Sequence, residues 1–386
     1  MYKKLENEKL KICFVSLNSY SLLVEKKLGY VGGAEIQQVE LAKELNRRGY
    51  EISFVTYGQN TFNKKLENGI EIFSAYNRDA TSQLGVLTKA YIIYKKMKAV
   101  NADIYFYRAG SPGVIPIFVK LLHKKIIKSI ASDAEVTGEI IIRKNNWASF
   151  LEKMGNWIDI KLSNVVVSQN NFQKSELKKI FKVESVVIKN AFYIPPHVIT
   201  DCVADCLLWV GTIRSVKQPH LFLEVAKHFP NYKFILIGGE GENLELFRNI
   251  QNTAKKISNL DFIGFVSHDK IFDYYNESIL LINTSKTEGF PNIFLEAWLS
   301  SIPVVSLNID PDGIISKYKL GYHSKTFNQM LDDIKTLLKD KELRKMMGEN
   351  GRKYVEENHD IKKIADQYEN LLNTLVKNRR KFIKVT

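Results

Sequence analysis

The sequence predicts an α/β protein built from two Rossmann-like domains, and three observations carry that reading. Its 386 residues exceed what one hydrophobic core usually holds. Short apolar runs alternate with longer stretches of helical periodicity along nearly the whole chain. The alternation breaks once, at Phe192–Asp201 (FYIPPHVITD), where Pro195-Pro196 interrupts it, and it restarts afterwards. The predicted division is therefore 1–193, 194–365 and a last segment, 366–386, of helix and basic tail.

In the first half, Lys11–Ser16 (KICFVS) reads as a strand and is followed by a long loop, Leu17–Gly32. Ile36, Val39, Leu41, Ala42 and Leu45 then give a helical apolar face that stops at Gly49, with Arg47 and Arg48 suited to the negative end of the helix dipole. Ile52–Thr56 is the next strand. This is a βαβ opening without the G-x-G-x-x-G fingerprint, so a dinucleotide enzyme is not supported. Gly32-Gly33 stands just before the helix, where glycine backbone can approach an anion; on residues alone it reads equally as an ordinary turn. Ile70–Phe73, Ile104–Tyr107, Lys128–Ala131, Val165–Val167 and Val186–Ile188 read as strands, and Leu84–Val100 and Pro112–Leu122 as helices. Asp133 follows the third of these strands and suits either a helix cap or a partner for a hydroxyl. Asn146–Ile160 is amphipathic, with Trp147, Phe150, Leu151, Met154, Trp157 and Ile158, and core packing is its ordinary explanation.

In the second half, Cys206–Val210 is a strand, and the turn Gly211–Lys217 places Thr212, Arg214 and Lys217 ahead of a helix that starts at Pro219. Cations at a helix start oppose its dipole, which favours a bound anion there. Phe234–Ile237 leads to the glycine cluster Gly238-Gly239-Glu240-Gly241, and Phe262–Phe265 leads to Val266. The most informative stretch is Ser278–Ser306: an apolar strand Ile279–Ile282, a loop to Phe290, a helix from about Pro291 to Ser300, and a strand opened by Pro303-Val304-Val305. Glu288 lies in that turn and Glu296 inside the helix, seven residues apart in the count between them. Carboxylates only accept hydrogen bonds, so hydroxyls are their natural partners, and a carboxylate on a helix that is apolar nearly all round needs one. Phosphate donors beside hydroxyl acceptors suit a nucleotide sugar. Amphipathic helices at Phe327–Leu338, Lys341–Glu357 and Ile361–Val376 close the chain.

Glu288-Gly289-Phe290-Pro291-Asn292, followed by Glu296-Ala297, resembles the Glu-x7-Glu signature of retaining glycosyltransferases of family 4, and the opening GGAEIQQVELAKELNRRGYEISFVT is similar to that family's first βαβ. The resemblance runs from about Lys11 to Leu372. It implies a GT-B fold, two Rossmann-like domains facing each other across a cleft, with the final helix crossing back to the first domain. It implies a nucleoside diphosphate sugar (UDP or GDP) as donor, a carbohydrate or lipid-linked sugar as acceptor, and neither cofactor nor metal. Lys217 matches the family lysine that holds the diphosphate; the family arginine position is Thr212 here, with Arg214 two residues on. Glu288, Gly289, Phe290, Pro291 and Asn292 correspond to the donor sugar and phosphate pocket, Glu296 to the ribose contact, and Gly239, Phe265 and Val266 to the nucleoside contacts. Gly32 and Gly33 correspond to the loop facing donor and acceptor. Ser132 or Asp133 stands where many members carry a histidine.

Composition fits this reading. Apolar content of 45% and charged content of 25% are ordinary for a globular chain. No apolar run approaches the roughly 20 residues of a membrane span, and MYKKLENEKLK has no signal-peptide core. Cys13, Cys202 and Cys206 make no disulfide framework, which points to a cytoplasmic protein. The net charge of +14, with clusters at His123–Lys128 and Lys377–Lys384, fits a peripheral position on an anionic inner membrane face; no nucleic-acid motif accompanies it. Asp310-Pro311-Asp312 mimics an Asp-x-Asp metal motif, but the resemblance to a metal-independent fold implies a loop and not a metal site. Two other classes are a nucleotide-sugar epimerase of the same architecture, which the histidine-poor first domain disfavours, and a basic membrane- or nucleic-acid-binding protein, which leaves the ordered glycines, lysine and glutamates unexplained.

Overall fold

A computed structural model describes residues 9–24, 32–58, 63–77, 85–108, 113–137, 146–194, 205–241, 243–267 and 270–383, the side chains of 146–149 and 377–383 excepted. Pro195-Pro196, Cys202 and the side chains of Trp147 and the basic tail lie outside these residues. The chain divides into two compact units, one of residues 1–193 with 361–386 and one of 194–360. The helix Ile361–Ile383 is continuous and goes whole with the first unit, which sets the division five residues before the predicted 365/366 boundary.

The first unit holds a sheet of β1 (Lys11–Val15), β2 (Glu51–Thr56), β3 (Asn63–Lys65), β4 (Glu71–Ser74), β5 (Ile104–Arg108), β6 (Lys125–Ser129), β7 (Val165–Ser168) and β8 (Ser185–Val187). Its order is β3-β4-β2-β1-β5-β6-β7-β8, parallel except that β3 runs antiparallel on β4. Alternation along β1 feeds both faces: Ile12 and Phe14 join one core, Cys13 and Val15 the other. The first core takes Val39, Leu41, Ala42 and Leu45 of the helix Gly33–Arg47 together with Ile361, Ile364, Tyr368 and Leu372 of the last helix. Arg48 fastens that helix by pairing with Asp366 and Glu369 while also holding Glu44.

The second unit holds β9 (Cys206–Val210), β10 (Lys233–Ile237), β11 (Leu260–Gly264), β12 (Ser278–Asn283), β13 (Val304–Ser306) and β14 (Gly321–His323), all parallel, in the order β11-β10-β9-β12-β13-β14. These strands are buried runs such as CLLWV and KFILI, as a sheet covered on both faces requires. In each unit the winding reverses once, between β1 and β5 in the first and between β9 and β12 in the second. Such reversals open a crevice beyond the carboxyl ends of the strands.

Several elements differ from the sequence reading. The strand predicted at Lys128–Ala131 is β6, which starts three residues earlier. Lysines at 125 and 128 broke its apolar run, yet Lys128 is 1% exposed, so the cluster His123–Lys128 is not wholly a solvated face. Most of the stripe on the helix Asn146–Leu162 is also outside the core: Phe150, Leu151, Met154 and Trp157 are 55%, 41%, 44% and 52% exposed.

Candidate functional site

The site of the second unit is built at the β9/β12 reversal. Beyond β9, the backbone N–H of Gly211 donates to Ile237 O and that of Ile213 to Gly239 O, each at 3.0 Å, and Gly238 N donates to Gly264 O at 2.9 Å. The turns after β9, β10 and β11 are thereby zipped into one surface. A Cβ on Gly238 would stand 2.3 Å from Gly211 O, so only glycine permits the approach. Gly239 lies against the ring of Phe265, which is 60% exposed and followed by the partly buried Val266. Thr212 and Arg214 are half-buried on the first turn, where Arg214 runs past Gly241.

A single 3-10 turn, Ser215–Lys217, ends that loop, and Gln218 takes a left-handed φ of 48° before the helix Pro219–His228. The loop after β12 is stitched to it. Thr284 Oγ1 donates to Lys217 O at 2.8 Å and accepts from Trp209 Nε1 at 2.9 Å, and Lys286 N donates to Val216 O at 2.8 Å. These bonds bring the ammonium of Lys217 onto the carboxylate of Glu288, which also accepts from Ser285 Oγ at 2.8 Å. The paired side chains are 22% and 15% exposed, so both remain within reach of a solute. Gly289, Phe290 and Pro291 are buried and lead into the helix Asn292–Leu299, with the Phe290 ring tilted against the His359 ring at 5.0 Å between centroids. Pro291, with φ −67° and ψ 120°, caps this helix and is not its first residue as predicted. Glu296 is 5% exposed and accepts a hydrogen bond from Tyr275 Oη at 2.7 Å. Burial, reinforced by that carboxylate, raises the Tyr275 phenol well above its ordinary pKa. Asp310 caps the backbone N–H of Ile315 at 2.8 Å, which accounts for one carboxylate of the Asp-x-Asp loop.

The remaining predicted residues belong to the first unit. Gly32 is the extended N-cap of the helix Gly33–Arg47, and Gly33 is its exposed first residue. Asp133 Oδ1 accepts from Gln173 Nε2 at 2.8 Å. Its loop is fixed by Glu135, whose Oε1 accepts from the N–H groups of Ala131 and Ser132 at 2.8 and 3.1 Å and whose Oε2 meets Lys128 Nζ at 2.7 Å. Lys128 Nζ also lies 4.8 Å over the Tyr107 ring. The structure thus groups Lys217, Glu288, Glu296 and the glycine turns in one unit, and Gly32, Gly33 and Asp133 in the other. Sequence reasoning missed Ser285, Tyr275 and Glu135, which hold Glu288, Glu296 and the Asp133 loop; nothing in their local sequence marks them.

Asp159, 3% exposed beside this network, has its carboxyl pushed from 3.8 up to about 7 by burial, with Lys128 pulling the other way. Between those values the folded chain keeps a proton that the unfolded chain has released, so stability falls as pH rises through about 4 to 7 and then levels off. Asp159→Asn removes this contribution. Its stability relative to wild type in urea is expected to rise by about 2–3 kcal/mol between pH 5 and pH 8. An unchanged difference at the two pH values refutes the assignment.

The family model described as glycosyl transferases group 1 matches residues 204–354. An uncharacterized glycosyltransferase of Haemophilus influenzae is 24% identical over 363 residues, 89% of this chain and 97% of that protein. The Staphylococcus aureus capsular polysaccharide biosynthesis glycosyltransferase CapM is 24% identical over 182 residues, 44% of this chain and 46% of that protein. Among solved structures, Anabaena HepE in complex with UDP-glucose superposes with a TM-score of 0.71 at 14% identity, covering 95% of this chain and 100% of that one.

Proposed function

We propose, from the premise that this chain is a glycosyltransferase of the GT-B fold whose residues 204–354 form a glycosyl transferases group 1 domain, that it moves a hexosyl group from UDP- or GDP-sugar to an acceptor hydroxyl with retention of configuration. The observation that carries the donor assignment is the Lys217–Glu288 pair, set at the strand reversal beside Ser285 and a buried glycine turn. In this reading Lys217, with Arg214 and Thr212 on the same turn, holds the diphosphate, and Glu288 turns to hydroxyls of the donor sugar. Glu296 accepts from the ribose, while Gly239, Phe265 and Val266 meet the base. Gly289, Phe290, Pro291 and Asn292 wall the sugar and phosphate, and Gly32, Gly33 and Asp133 serve the acceptor side. The bond from the anomeric carbon to the phosphate oxygen breaks, the acceptor oxygen bonds to that carbon, and the acceptor's proton passes to the departing diphosphate. No protein nucleophile is needed. Lys217 stabilises the charge that grows on the diphosphate.

The acceptor belongs to a surface polysaccharide or glycolipid built at an anionic membrane face. CapM, by its name, acts in capsular polysaccharide synthesis. No helix among the described residues is long and apolar enough to cross a membrane, but the exposed stripe Phe150-Leu151-Met154-Trp157, with Lys161 over the Trp157 ring, suits an interface. Calorimetry is expected to show binding of UDP or GDP, and Glu288→Ala and Glu296→Ala to abolish most transfer. Sedimentation with anionic vesicles is expected to carry wild type down more than Trp157→Ala. Absence of any nucleotide binding, or full transfer by both glutamate variants, sinks the donor assignment; equal sedimentation sinks the membrane assignment.

A further inference from the structure

A second recess lies in the first unit, at its own reversal between β1 and β5. Gln37 and Gln38 of the helix Gly33–Arg47, Arg108 at the end of β5, Lys189 after β8 and Tyr368 of the last helix line it. Its inner space is about 10 Å³, room for about one water-sized group, and it opens to solvent. Arg108 Nη2 donates to Asn190 Oδ1 at 2.8 Å, but its Nε is enclosed and has no hydrogen-bond partner. No carboxylate among the described residues forms an ion pair with this guanidinium within 4.0 Å; those of Glu35 and Glu135 act on it from farther away. Gln38, 1% exposed, spends its amide N–H on Ser16 Oγ at 2.9 Å and Ala34 O at 3.3 Å, and its Oε1 is left without a partner.

Enclosed polar atoms are almost always matched, so two unmatched ones lining a single recess need an explanation. Support of the β8 loop accounts for Nη2 alone. Donor N–H on a fixed cation, a second cation at Lys189 and a neutral amide acceptor form a set that no carboxylate enters by direct contact, Glu35 and Glu135 acting on Arg108 only from beyond ion-pair distance. That set recognises an anionic oxygen next to a hydroxyl. We infer that this recess admits one oxygen of an anionic group of the acceptor, a phosphate or a carboxylate held at its mouth, with Arg108 Nε donating to that oxygen and Gln38 Oε1 accepting from a neighbouring hydroxyl. The word acceptor rests on the transfer reading above; the anion site does not.

The test follows the Arg Nε–H resonances of the full chain in nitrogen-15 spectra, with Arg108 identified by the signal lost in Arg108→Lys. Inorganic phosphate and L-lactate are titrated separately at constant ionic strength, each with and without saturating UDP. The expected result is a saturable shift of the Arg108 signal by at least one anion, in both the presence and absence of UDP. Tracked through neighbouring amides, affinity for that anion is expected to fall at least tenfold in Arg108→Lys, which keeps the buried charge and loses the Nε donor, and in Gln38→Met for lactate. Saturation by phosphate alone assigns a phosphate ester, and by lactate alone a hydroxycarboxylate. No saturable shift with either anion, or equal affinity in wild type and Arg108→Lys, overturns the inference. Failure of UDP to bind while the anion still saturates strikes the donor reading and leaves this one standing.

Discussion

Lys217→Ala is expected to lower the rate of sugar transfer by about 10²–10³-fold, the loss usual when one preorganised group is removed from a developing negative charge. In the proposed transfer the diphosphate gains charge as the glycosidic bond breaks, so kcat should fall more than donor affinity. Stability should fall by about 1–3 kcal/mol, because the pair it forms with Glu288 is mostly buried, at 22% and 15% exposed, and Glu288 loses its cation while keeping the Ser285 hydrogen bond. Unfolding in urea measures that loss and so separates the effect on rate from damage to the fold. Lys217→Arg should not restore full activity, because the planar guanidinium cannot occupy the space of a compact ammonium between Glu288 and the turn of Ser285. Glu288→Ala should be comparably impaired, and the double variant less impaired than the product of the two, since both groups serve one bound donor. A Lys217→Ala enzyme within threefold of wild type, or losses in the double variant that multiply fully, would mean that this pair is not the donor clamp.

How much of this was legible in the sequence depended on whether a signal was local. The two parallel sheets were, because strands covered on both faces leave continuous apolar runs such as CLLWV and KFILI. The edge strand β3, Asn63–Lys65, was not: NKK pairs through its backbone with β4 and carries no apolar pattern. Lys128 was misread because its neutralising partner, Glu135, comes from beyond the end of the strand. The stripe on the helix Asn146–Leu162 shows a different limit, since periodicity reports that a helix has an apolar face and not what covers it. Within the site, Glu288, Glu296 and Lys217 were each visible as candidates from spacing and resemblance. That Lys217 meets Glu288 across 71 positions, and that Tyr275 holds Glu296, are products of strand order, which no local window contains.

Gly348→Val is expected to weaken the second unit and its proposed nucleotide site together. Gly348 lies inside the helix Lys341–Asn358, where glycine costs about 1 kcal/mol relative to alanine, so its presence there has a packing reason. A Cβ at this position would stand 1.9 Å from Ser301 O and 2.6 Å from Ser301 C, both backbone atoms of the turn that follows the helix Asn292–Leu299. One turn further on, a Cβ on Gly351 would meet Trp298 Cδ1 at 2.6 Å, and Trp298 is fully buried with its Nε1 donating to Leu320 O at 3.1 Å. Neither face can yield by turning a flexible side chain. Even Gly348→Ala should lose about 1–3 kcal/mol despite its better helix propensity, and valine more, because overpacking against backbone forces the helices apart. The helix that is pushed carries Glu296 and opens beside Glu288, so UDP affinity in calorimetry should fall along with the urea midpoint. Glu349→Ala, on the exposed side of the same helix, should change stability by less than about 0.5 kcal/mol and leave nucleotide binding alone. If Gly348→Val unfolds and binds UDP as wild type does, the two helices are not in the close contact described, and the placement of Glu296 falls with it.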